Sequence, residues 1–172
     1  CIRDSSSTMM DFKLTGSQGD VMKESMNVAK TMAWSLLTKE KQKSLVKHFE
    51  DTKLQGIHIH CPEGAVPKDG PSAGTAITTV LYSLLSERKI KNEVAITGEM
   101  DIRGNVTIIG GLDLKIIGGI NAGVKKFLFP KDNVKDYEKL REKYKSNESI
   151  FEGISFYPVE NIHEVLELVF ED

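Results

Sequence analysis

Met22, Met26, Ala29, Ala33 and Leu36 recur at three- and four-residue steps, the spacing that gathers side chains on one face of an α-helix. The pattern predicts a helix starting near Gly19-Asp20, with Asp20 as its N-cap and Glu24 close to its first turn. The charged stretch 39–53 either ends this helix or forms a short second one. Ile57-His58-Ile59-His60 alternates with period two and reads as a strand, and residues 9–14 read as another short one. From Ser72 onward Ala76, Val80, Leu81, Leu84 and Leu85 restore the helical period. Val94-Ala95-Ile96 is a buried-strand pattern, and Arg103-Gly104-Asn105 is a turn joining 99–102 to 106–109 as a hairpin. A helix over 112–122 closes at Gly123, a frequent C′ residue, and a strand over 126–129 stops at Pro130. A charged amphipathic helix (134–144), a strand (154–157) and a closing helix (162–170) complete the chain. Strands alternating with helices predict an α/β architecture, and the hairpin makes its sheet mixed, with helices packed against it.

Composition narrows the function classes. The chain has 172 residues, 40% apolar and 28% charged, which fits one globular domain (1–172) and excludes disordered and fibrous classes. The polar, small residues 1–8 are expected to fray. Lys plus Arg number 23 against 25 Asp plus Glu, so no basic stripe offers itself to nucleic acid or to a membrane surface. No apolar run reaches the roughly 18 residues of a membrane span. The start lacks both a secretory apolar stretch and an initiator Met, which predicts a fragment or a processed product. Two cysteines, Cys1 and Cys61, are too few for a disulfide framework and lack metal spacing, so a reducing intracellular compartment is expected.

Chemistry concentrates in two places. Residues 61–71 hold three prolines and two glycines, and residues 62–74 deliver Ser72 to the start of an apolar helix. Ser72 there is an N-cap, a nucleophile whose oxyanion faces helix-start amides, or part of a phosphate cradle. The last is weakened because no G-x-x-x-x-G-K-[ST] pattern occurs. Residues 70–74 fit G-x-S-x-G in letters, but a Pro-rich loop precedes them instead of a strand. His58 and His60 share one strand face, and a zinc site there lacks a third ligand. The second place is Lys115, set among Leu112, Leu114, Ile116, Ile117 and Ile120. It either snorkels to solvent or is buried. Burial matters because only about 0.1% of an ordinary lysine is neutral near pH 7.4, whereas a depression of roughly three units makes about half of it neutral. A neutral amine beside a serine is a recognised nucleophile–base pair.

Residues 62–74, centred on Pro67-Lys68-Asp69-Gly70-Pro71-Ser72-Ala73-Gly74, resemble the active-site signature of the Lon protease proteolytic domain. So do Thr97-Gly98-Glu99, Arg103-Gly104 and Gly110-Gly111-Leu112-x-x-Lys115, with 43 residues separating Ser72 from Lys115. Weaker similarity runs through residues 16–25 and 129–133, so the resemblance covers roughly 11–172. It implies a Lon-type fold and a serine endopeptidase with Ser72 as nucleophile and Lys115 as general base. It also implies Thr97 as a hydroxyl neighbour of the amine, with Asp69 and His60 shaping the surroundings; from their types alone, Thr97 fills a strand and Asp69 a turn. No cofactor or metal is implied for this domain. ATP and Mg²⁺ belong to an ATPase module, in cis or in trans, which with the family's opening hairpin is expected to lie outside these residues. Unfolded polypeptide substrates and a homo-hexameric ring follow from the same resemblance.

Departures are Asp113-Leu114, where a more polar pair is expected, and Gly118-Gly119 in place of small helix formers. Two adjacent helical glycines cost about 1–2 kcal/mol relative to alanines unless they permit close packing. Two rival classes stay open: a catalytically silent assembly module of a ring complex, and a small-molecule kinase-like domain cradling phosphate at residues 70–74.

Overall fold

A computed structural model describes residues 11–16, 18–52, 56–61 and 69–171. The expectations for residues 1–8, Met9, Met10, Lys53 and the loop 62–68 lie outside the described residues. Strand β1 (Asp11–Thr15) runs parallel to β2 (Gly56–His60), with Phe12 opposite Ile57 and Thr15 opposite His60. Between them come helices α1 (Asp20–Ser35) and α2 (Lys39–Thr52), so the charged stretch is a separate helix. α2 buries no residue fully, but its Leu45 and Phe49 pack beside Ala29, Ala33 and Leu37.

The start of α1 differs from the expectation. Asp20 is already helical, and the N-cap is Gly19, which has no side chain to cap with. The carboxylate of Asp69 supplies the acceptor instead, taking the Met22 N–H at 3.2 Å. Gly19 is required by that approach, since a Cβ there would come within 2.1 Å of the Asp69 Cγ.

A 3₁₀ turn, Pro71–Ala73, leads into α3 (Gly74–Ser86). The buried face of α3 matches its apolar pattern only in part. Thr75, Thr78, Thr79, Leu81 and Leu85 face inward, while Val80 and Leu84 are 54% and 61% exposed. The threonines tolerate burial because their hydroxyls are satisfied: Thr78 and Thr79 donate to the Gly74 and Thr75 carbonyls at 2.8 Å.

Strand β3 (Val94–Ile96) is followed by the hairpin β4 (Glu99–Met100) and β5 (Val106–Thr107), then by helix α4 (Leu112–Asn121). The hairpin ladder is shorter than the pattern suggests because Asp101 draws the turn onto itself, accepting from the Arg103 and Asn105 amides at 2.8 and 2.9 Å. Gly123 (φ +85°) follows the α4 C-cap Ala122, as expected. Strand β6 (Lys126–Pro130), helix α5 (Val134–Lys143), strand β7 (Ser155–Val159) and helix α6 (Ile162–Val169) complete the order. Two further 3₁₀ turns, Lys131–Asn133 and Lys145–Phe151, carry no periodic signal in the sequence.

The fold is α/β. β3, β6 and β7 form a parallel sheet with β6 in the middle, and the antiparallel hairpin stands beside it. Alternation along β6 divides the core. Leu128 packs with Met100, Val159, Ile162 and Val165 on one face, while Phe127 and Phe129 pack with Leu112, Ile116 and Leu140 on the other. The second cluster anchors α4 and fixes where Lys115 can reach.

Candidate functional site

The nucleophile candidate sits on a turn held from both sides. Ser72 is the middle residue of the Pro71–Ala73 turn, whose N-cap is Gly70, while α3 is capped by Ala73. The capping reading of Ser72 is therefore set aside: neither cap makes a side-chain bond. The Ser72 carbonyl accepts the Gly98 N–H at 2.9 Å and the Thr97 hydroxyl at 3.3 Å. The Gly98 carbonyl in turn takes the Thr75 amide at 3.1 Å and the Thr75 hydroxyl at 3.0 Å. Gly98 has no room for a side chain, because a Cβ would lie 2.5 Å from Val106 Cγ1. Thr97 and Gly98 both stand in the Lon-like motif, but the resemblance gives a role to Thr97 alone, and Thr75 carries no motif. The signal for Gly98 is a glycine two residues past a short apolar strand, where glycine often marks close backbone approach.

Lys115 enters from α4. Its Nζ donates to Ser72 Oγ at 2.7 Å and lies 3.4 Å from Thr97 Oγ1. Lys115 as a residue is exposed in this chain, so it is not the deeply buried amine that the sequence allowed. Desolvation on its apolar side nonetheless pushes its pKa below the ordinary lysine value of 10.5. That shift favours the neutral amine and is the direction a general base needs. A cavity of about 240 Å³ opens beside the pair, walled by Ala76, Ile96, Leu112, Ile116, Phe127 and Phe129.

The remaining candidates are placed less centrally. Asp69 is exposed and is spent on the α1 start. His60 Nδ1 and His58 Nε2 each lie 2.8 Å from the Thr15 hydroxyl, and no hydrogen bond joins either ring to Ser72, Lys115 or Thr97. Among the described residues no group of three or more His, Cys, Asp or Glu is arranged to hold a metal ion. The glycine pair divides: Gly118 faces open space, while a Cβ on Gly119 would meet the Phe127 ring at 2.5 Å. Gly119 thus lets the helix bearing Lys115 sit down on β6.

The chain has relatives among known proteins. The chain is 42% identical over 159 residues to the Lon protease of Treponema pallidum and 44% identical over 158 residues to Lon protease 1 of Borreliella burgdorferi. It is 43% identical over 158 residues to the Lon protease of Haemophilus influenzae. Each alignment takes in 92% of this chain but only 17% or 18% of the relative, so the chain spans under a fifth of those proteins. The model of the Lon protease (S16) C-terminal proteolytic domain matches residues 4–172, and the chain belongs to that family.

Proposed function

We propose that this chain, taken as one proteolytic domain over 1–172, is a serine endopeptidase in which Ser72 is the nucleophile and Lys115 the general base. The 2.7 Å contact between Lys115 Nζ and Ser72 Oγ carries the reading. Neutral Lys115 takes the Ser72 proton as Oγ bonds to the scissile carbonyl carbon. The ammonium so formed gives that proton to the leaving amine as the C–N bond breaks, leaving an acyl-serine for water to hydrolyse. Thr97 holds the amine. The Ser72 amide, which donates to no acceptor among the described residues, serves as a backbone donor to the oxyanion.

The apolar cavity suits an uncharged side chain of the substrate beside the scissile bond. β3 pairs only with β6 among the described strands, so its other edge is available to an extended peptide. Asp69 supports the loop before Ser72, and His60 lines the strand that leads into it. The substrates are unfolded polypeptides delivered by an ATPase module in cis or in trans. That module would bind ATP and Mg²⁺, and this domain would need no cofactor. A homo-hexameric assembly is consistent with the exposed apolar Val80, Leu84 and Leu114. A reducing intracellular compartment fits the cysteine usage, and no helix among the described residues is long and apolar enough to cross a membrane.

The test is labelling by a fluorophosphonate or peptide boronate, run with Ser72→Ala and Lys115→Ala on a fluorogenic peptide. Both variants are expected to lose cleavage while keeping wild-type circular dichroism. Wild-type turnover in either one removes the dyad. A folded chain that takes no label and cleaves nothing, yet forms rings by mass measurement, would mark the silent assembly module instead.

A further inference from the structure

The turn carrying Ser72 is held downstream by backbone, through Gly98 and Thr75. Upstream it is held by α1. The Asp69 carboxylate takes the Met22 amide, and one turn further along α1 the Ser25 hydroxyl donates to the Pro71 carbonyl at 3.3 Å. Pro71 is the residue immediately before Ser72, so this carbonyl belongs to the peptide unit that sets the Ser72 amide and the Cα–Cβ direction of the nucleophile. A serine inside a helix commonly turns its hydroxyl back to a carbonyl of the preceding turn. Ser25 does not; its recorded partner lies 46 residues away in sequence.

The fit around that hydroxyl is tight. A Cβ on Gly74, the first residue of α3, would fall 2.9 Å from Ser25 Oγ and 3.1 Å from the Met100 amide nitrogen. The approach of α1 to the turn therefore depends on a glycine there, and Ser25, half-buried, occupies the resulting seam. The Pro71 carbonyl also accepts the Gly74 N–H within its own turn, so losing Ser25 leaves that oxygen satisfied but removes its tie to α1.

We infer that Ser25 is a positioning residue for the reaction: its hydroxyl fixes the Pro71–Ser72 peptide so that Ser72 Oγ stays on Lys115 and its amide stays aimed at the oxyanion. This rests on the Ser72–Lys115 reading above. A misplacement of about 1 Å at a reacting group costs on the order of 100-fold in rate.

The experiment compares Ser25→Ala, Ser25→Thr and Ser25→Cys in the full-length protein, with Ser72→Ala alongside. It reads kcat, KM, the pH–rate profile, fluorophosphonate labelling and melting temperature. Ser25→Ala is expected to lower kcat and the labelling rate by about 10- to 100-fold. KM and the pH midpoint should hold, because neither the cavity nor Lys115 is touched. Ser25→Thr, which keeps a hydroxyl, should recover most of the rate, and Ser25→Cys, a weak donor, should fall between. Wild-type turnover in Ser25→Ala overturns the inference, as does a threonine variant as slow as the alanine one. Should the alanine variant not fold, the cysteine variant decides, and full activity there overturns the inference equally. Cleavage surviving in Ser72→Ala would instead remove the nucleophile itself, which keeps the two failures apart.

Discussion

A lysine acts as a base only in the fraction of molecules where it is neutral, so the lowered pKa of Lys115 has a kinetic and a thermodynamic consequence. Kinetically, kcat/KM is expected to rise with pH through the lysine's folded value, an acid limb that a stopped-flow or plate assay across pH 6–10 (about the range of interest) records. Thermodynamically, well below that folded value Lys115 is charged in the folded and unfolded chain alike, and the folded state bears the full desolvation cost. Between the folded value and the unfolded 10.5, the unfolded chain binds more protons, so this residue's contribution to stability rises with pH. Lys115→Met should therefore melt above wild type at neutral pH, with the gap closing toward pH 10.5. A gap that widened with pH would reverse the sign of the shift. Both members of the pair were nameable from motif and spacing. Their 2.7 Å contact and the lysine's exposure were not, because spacing along a chain says nothing about distance across it.

At the scale of elements, α4 shows why a glycine pair needs the structure to be interpreted. Gly118→Ala meets nothing within 4 Å and gains helix propensity, so a stabilisation of about 0.5–1 kcal/mol is expected. Gly119→Ala drives a methyl to 2.5 Å from the Phe127 ring and should destabilise by about 1–3 kcal/mol. It should also slow cleavage, since α4 must lift from β6 and take Lys115 with it. Denaturant melts and peptide turnover on the two variants check this, and equal effects would contradict the packing assigned to Gly119. The same limit explains α3. Its apolar period was legible, but which side turned inward was decided by three threonines whose hydroxyls close on the backbone of their own helix or on Gly98. The cap of α1 was misassigned to Asp20 for a related reason. Its acceptor comes from Asp69, 47 residues from Met22, where local capping rules do not look.

For the molecule as a whole, one buried polar residue ties the segment that leads into α4 to the turn that follows β6. Asn133, with no exposed surface, pairs both ways with the backbone of Ile109: Oδ1 accepts its N–H at 3.0 Å and Nδ2 donates to its carbonyl at 2.9 Å. Asn133→Ala orphans both groups and should cost at least about 2 kcal/mol. Because Ile109 leads directly into Gly110, Gly111 and the start of α4, peptide cleavage should fall as well; thermal melts and turnover on the same sample test both. The order of helices and strands, the α/β class and the residues able to do chemistry follow from the sequence, because period, turn chemistry and motif are local properties of the chain. The meeting of α4 with the α3 turn is set only when Leu112 and Ile116 pack on Phe127 and Phe129, and the face that α3 buries and the hold of α1 on the Ser72 turn only when Leu81 and Leu85 pack against Ala29 and Ala33. Those are contacts between segments far apart in sequence, and only the folded chain sets the distances between them.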